Sequence, residues 1–310
     1  MKKRKPTKQQ PNKGQGNKVP KSSPRSMDKV MSDLSKLLAQ HEFSSIDEVN
    51  AFLQENVNGG AIPSFAPETP LEEAQELMYE AWETRSQRER IRLAKKALKI
   101  SPDCADAYVL LAEEEARSAE EARDLYAAGV AAGERALADD FEEMTGHFWG
   151  ITATRPYMRA RAALATTLWL FGQHEAAVTH FKQMLYLNPG DNQGIRYTLL
   201  NALLSHGTAE EIEELLAMYP DDVAASWLYN RALFVFRQGP RQEADKQLAI
   251  ALSFNEHVPG YLLKRRRLPG QIPDYIGLGD ETEAAAYVYE SQYHWQNEPG
   301  ALAWLQEAVD

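Results

Sequence analysis

A single cysteine, Cys104, stands in 310 residues. No disulfide can close within the chain, and nothing in it asks for an oxidising compartment. Long apolar runs are also missing. No stretch approaches the roughly 18 continuous apolar residues of a membrane span, and no apolar segment follows the basic N-terminus as it would in a signal peptide. Sustained alternation of apolar and polar residues is absent, which leaves no credible strand. The seven histidines (His41, His147, His174, His180, His206, His257 and His294) form no HExxH or comparable ligand cluster. There is no P-loop and no GxSxG, and Gly14-Gln15-Gly16 has no strand before it. These absences predict a cytoplasmic protein that is not an enzyme, holds no metal or cofactor, and does not span a membrane.

What is present is the composition of a globular protein, 44% apolar and 25% charged. The net charge of -11 hides an asymmetry: residues 1–25 hold nine Lys and Arg and no acid, leaving -20 to the rest. Residues 1–26 are rich in Lys, Pro, Gln, Gly and Ser and read as a disordered basic tail. Its KKRKP run (2–6) offers a contact for RNA, ribosome or DNA phosphates, or serves only as a solubilising end. The acidic body repels nucleic acid elsewhere.

From Met27 apolar residues recur at helical spacing: Val30, Met31, Leu34, Leu37 and Leu38, then Ile46, Val49, Phe52 and Leu53. The spacing predicts a helical hairpin over 27–60. Ser45 and Glu48 form a capping box for its second helix, and Asn58-Gly59-Gly60 ends it. Residues 61–70 carry three prolines and read as a linker.

Beyond the linker, 71–258 alternates amphipathic helices with short turns and resembles itself at a period of about 34 residues. In the unit from Met158, Leu164, Ala165 and Leu168 mark the first helix and Gly172 the turn. Ala177, Phe181 and Leu185 mark the second helix, which ends at Asn188-Pro189. Further units open near 71, 105, 192 and 225, with Pro259 terminating the last. Residues 119–157 are too long and irregular for a plain unit and read as an insertion. Small residues let paired helices approach closely, and stacking supplies the core that each unit lacks alone. Arg90 and Met184 stand where the pattern wants small residues.

On these residues the chain resembles the tetratricopeptide-repeat superfamily. More narrowly, GHFWGITATRPYMRAR (146–161) followed by LNPGDNQGIRY (187–197) is similar to a bacterial group related to the suppression-of-tumorigenicity family. The resemblance implies an all-α solenoid of helical hairpins with a concave groove that binds peptides or protein surfaces. Carried over by position, it implies that Tyr79, Trp82, Arg159, Trp169, Gln193, Arg196, Tyr229 and Phe236 face the groove. Arg155, Tyr157, Arg161, Arg231 and Arg237 lie nearby. Guanidinium forks suit carboxylates, so the expected partner is a protein or peptide, acidic or presenting its C-terminus, with Arg159 and Arg196 foremost. The same arginines can instead pair with neighbouring Glu and Asp.

The 146–161 stretch gathers His147, Phe148, Trp149, Arg155, Pro156, Tyr157 and Arg161. It reads as a contact surface, as an enzyme site if distant residues converge on it, or as an aromatic plug between units. A second basic cluster, LKRRRLPG (263–270), lies in a loop within 259–310. Helices over 281–296 and 300–309 are expected to cap the last repeat.

Overall fold

The computed structural model describes residues 24–57, 62–273 and 275–310. The KKRKP run, the tail through residue 23 and the Asn58-Gly59-Gly60 stop lie outside those residues. Among the described residues the regular elements are sixteen α-helices and one 3-10 turn, without strands.

Five helix pairs carry the solenoid: α3 (Pro70–Glu83) with α4 (Gln87–Ile100), α5 (Ala105–Glu114) with α6 (Ala119–Ala136), α8 (Arg155–Leu170) with α9 (His174–Leu187), α10 (Ile195–His206) with α11 (Ala209–Met218), and α12 (Ala225–Gln238) with α13 (Arg241–Phe254). A sixth pair, α15 (Glu281–Asn297) and α16 (Ala301–Val309), continues the stack. First helices pack in a row, α3 on α5, α5 on α8, α10 on α12 and α12 on α15. Second helices wedge behind them, with α4 touching α5, α6 touching α8 and α9 touching α10. The core follows the stack in three successive clusters, spanning Ala74 to Leu111, Val109 to Phe234 and Ala225 to Leu305. That is the geometry of units stabilised by their neighbours.

Sequence chemistry sets the boundaries. Thr69, Ser86, Ser118 and Asp280 each accept a backbone N–H in the first turn of the helix they precede, and Thr208 with Glu211 forms a full capping box. The expected box at Ser45 is shifted: Ser45 accepts from Glu48 N, but the Glu48 carboxylate takes the N–H of Ser44. Where α6 crosses α8 the chain uses Gly129 and Gly133, because a Cβ on Gly133 would stand 2.7 Å from that of Tyr157. Arg90, at a position where a small residue was expected, reaches outward to Glu114 and to the Thr84 carbonyl at the end of α3.

Three boundaries differ from expectation. The insertion is shorter than 119–157, because α6 is the second helix of the 105 unit; only 137–154 is extra, comprising a short helix α7 (Phe141–Met144) and the turn Thr152–Thr154. Pro259 does not terminate a helix but sits in the first turn of a short one, α14 (Val258–Leu262), where its missing N–H costs nothing. The N-terminal helix α1 starts at Pro24, within the expected tail, and packs on α3 and the 152–154 turn. The following helix, α2 (Ile46–Val57), leaves Ile46 79% exposed.

Candidate functional site

Two places on the row of first helices gather chemistry. The first lies where α3, α5 and α8 meet. Asp106 occupies the first turn of α5, between Ala105 and Ala107, and is fully buried. Arg159 of α8 grips it through Nε and one terminal nitrogen, at 2.8 and 2.6 Å, and Gln75 of α3 donates to the same carboxylate at 2.9 Å. The remaining arm of Arg159 reaches Asp28 of α1 at 2.6 Å. Arg155, one turn earlier, donates to the other Asp28 oxygen at 2.6 Å and to the Trp149 carbonyl at 2.9 Å. Burial works against the charge of Arg159, but Asp106 and Asp28 outweigh it and hold the guanidinium firmly protonated. Its fork lies 5.4 Å from the Trp82 ring, and Arg155 lies at the same distance from Trp149.

The turn before α8 orients these arginines. Gly146 N and Phe148 N donate to the Leu187 carbonyl at the end of α9, at 2.9 and 3.2 Å. Phe148 is fully buried and meets Phe141 and Tyr157 edge to face. The junction is thus filled by rings, and Tyr157 belongs to that filling.

The second place is a pocket of about 540 Å3 between α8, α10 and α15, lined by Thr166, Trp169, Thr198, Asn201, Glu290 and Tyr293, among others. The Trp169 ring contacts those of His174 and His206, which stack on each other at 3.8 Å. Tyr293 is 65% exposed. Part of the Glu290 side chain reaches solvent, yet the surrounding walls desolvate it enough to push its carboxyl up. Burial, helped by Arg237, pushes His294 down to about 4, so it stands neutral in the wall.

Of the residues singled out by sequence, Arg155 and Arg159 converge on one carboxylate and Trp169 lines the pocket. Arg196 sits apart, bonded to Asp191 and Asp222 between the rings of Tyr197 and Tyr219. Arg161 turns toward Tyr157 and Glu134. Gln193 lies in the turn before α10. Tyr229 does not face a groove: it is fully buried, donating to the Asn255 carbonyl at 2.7 Å, because α15 packs over α12. Phe236 is half-buried, stacked on Trp304. Asp28, Asp106, Glu290 and Tyr293 were missed. Asp106 carried a signal, an acid within the apolar run ADAYVLLA.

Among the described residues no helix is long and apolar enough to cross a membrane, and no group of three or more His, Cys, Asp or Glu could hold a metal ion. Residues 65–238, from α3 through α12, match the family model described as ST7 protein. The suppressor of tumorigenicity 7 protein-like of Rattus norvegicus and that of Mus musculus are each 30% identical over 257 residues, covering 74% of this chain and 45% of the relative. The Homo sapiens protein of that name is 29% identical over 257 residues, covering 74% of this chain and 44% of its own length. The chain thus spans less than half the length of these relatives. With more than half of its residues inside the family's span, Arg155, Arg159 and Asp106 among them, the chain belongs to the ST7 protein family.

Proposed function

We propose that the chain is a cytoplasmic protein-interaction scaffold of tetratricopeptide type, without a catalytic step of its own, whose row of first helices holds a segment of a partner protein. The observation that carries this reading is the pocket between α8, α10 and α15. Trp and Tyr there offer large rigid area together with a polar edge, the chemistry that anchors protein interfaces. Hydroxyls and amides of Thr166, Thr198 and Asn201 supply hydrogen bonds around them.

The test pairs Trp169→Ala with Tyr293→Ala in the full chain. Proteins retained from the native cell are compared between this variant and the unaltered chain, with helicity and melting measured alongside. Loss of a retained protein at unchanged helicity supports the pocket as the binding surface. An identical set of retained proteins removes it.

A further inference from the structure

The hold on α1 is unusual for a packed helix. It buries its acids, Asp28 and Asp33, at 4% and 7% exposure, while Met27 and Val30 stand 49% and 42% exposed. Of its described apolar residues only Leu37 is buried. The contacts are mainly charged: Asp28 with Arg155 and Arg159, Lys29 with Glu76 at 2.6 Å, and Lys36 with Glu72 at 2.8 Å. The two lysine pairs are partly exposed, a setting in which ion pairs contribute little. Beneath the helix remains a cavity of about 140 Å3, lined by Ser32, Leu71, Gln75, Tyr79 and Tyr157 among others. A helix lying over a void forfeits dispersion contacts that close packing would give.

The surface beneath is differently made. Arg155, Arg159, Asp106 and Gln75 come from three solenoid helices inside the span shared with the ST7 family, whereas α1 lies outside it. Without Asp28, two guanidinium groups would face the single carboxylate of Asp106 in a largely buried place. Such an imbalance calls for another carboxylate, because unpaired buried charge is costly.

We propose that α1 is an internal occupant of the Arg155–Arg159 site, and that a helix of a partner protein, presenting one carboxylate to the two guanidinium groups and two cations to Glu76 and Glu72, takes its place. The pattern on α1 states what that helix needs: an Asp or Glu, followed one and eight residues later by Lys or Arg to meet Glu76 and Glu72. Lys29 and Lys36 lie two turns apart, so one face of a helix presents both. This deepens the scaffold reading, but through residues distinct from Trp169 and Tyr293, so the two can fail separately.

The test uses the full chain and a fluorescent synthetic peptide of residues 24–39, with binding read by anisotropy. In the unaltered chain α1 competes and the peptide binds weakly. D28N frees the site, and the peptide binds about tenfold tighter or more, as expected when the competent fraction rises. A peptide carrying D28N does not bind. Hydrogen exchange quickens over 24–39 in the D28N chain and is unchanged over α8. Equal peptide affinity for both chains, equal binding of the D28N peptide, or unchanged exchange over 24–39 overturns the proposal. Collapse of overall helicity in D28N also overturns it, by showing α1 to be integral. The double variant K29E/K36E gives a second reading by setting like charges against Glu76 and Glu72: this repulsion must quicken exchange over 24–39, and failure to do so counts against the proposal.

Discussion

Asp28 and Arg159 are 131 positions apart in the sequence and 2.6 Å apart in the folded chain. The same guanidinium holds Asp106, whose carboxylate has no exposure to solvent. Replacing Arg159 by Ala leaves that carboxylate buried with Gln75 alone, and breaking a buried pair in this way costs about 3 kcal/mol or more. Urea denaturation should show the loss, whereas Arg241→Ala, whose partners Asp245 and Glu307 are exposed, shifts the midpoint little.

Gly133→Ala should destabilise the chain although alanine is the better helix former. The new methyl would stand 2.7 Å from Tyr157 Cβ and 3.1 Å from its Cα, so α6 and α8 must separate. Overpacking of this kind costs roughly 1–3 kcal/mol. Thermal melting checks it, with Gly146→Ala as a contrast: there a Cβ meets nothing within 4 Å, and the cost comes from a φ of +95° alone.

Acid should weaken the C-terminal half. His294 is pushed down to about 4 in the folded chain, against about 6.5 when unfolded. Between those values the unfolded state binds the extra proton, so this contribution is whole above about pH 6.5 and is lost as the pH falls toward 4. The drop is on the order of 3 kcal/mol. His180, pulled down by burial and Arg161, acts in the same sense, and Glu290, pushed up by burial, acts oppositely. Melting temperature across this range should fall for the unaltered chain and fall less for His294→Gln.

Cys104 should resist alkylation. Burial, with Asp106 adding to it, pushes its thiol up to about 12, so at mildly alkaline pH the native chain holds almost no thiolate. Mass spectrometry after iodoacetamide should find Cys104 unmodified in the native chain and modified in denaturing urea.

The helix pairs were legible because the repeat is local: Leu164, Leu168, Phe181 and Leu185 announce one unit within about 34 residues. Arg155 and Arg159 were legible as arginines beside an expected groove, but not as a pair on one helix face, because residue 155 fell within the expected insertion and Arg159 was set beside Arg196. Their occupant was not legible, since the pattern on α1 reads as an apolar stripe that includes Val30, yet Val30 is exposed and Asp28 buried. Long-range charge pairing overrides the stripe there. The pocket was only half legible. Trp169 belongs to a repeat, but Glu290 and Tyr293 lie on a helix expected merely to cover the end, and no periodicity says that α15 bends back to α10. That same helix hides Tyr229, and Trp304 of α16 half covers Phe236.

Trp295 donates to the Tyr287 hydroxyl, Tyr287 to Asn230, and Asn230 to Asn201, which also accepts from Ser291. A stack whose units touch only their neighbours opens like a spring, coil by coil from a free end. Here α15 is buttoned across α12 onto α10, and the last three pairs form a clasp. These bonds tie the last described pair to one two places back, and a ligand entering the pocket beside Asn201 would press on the catch.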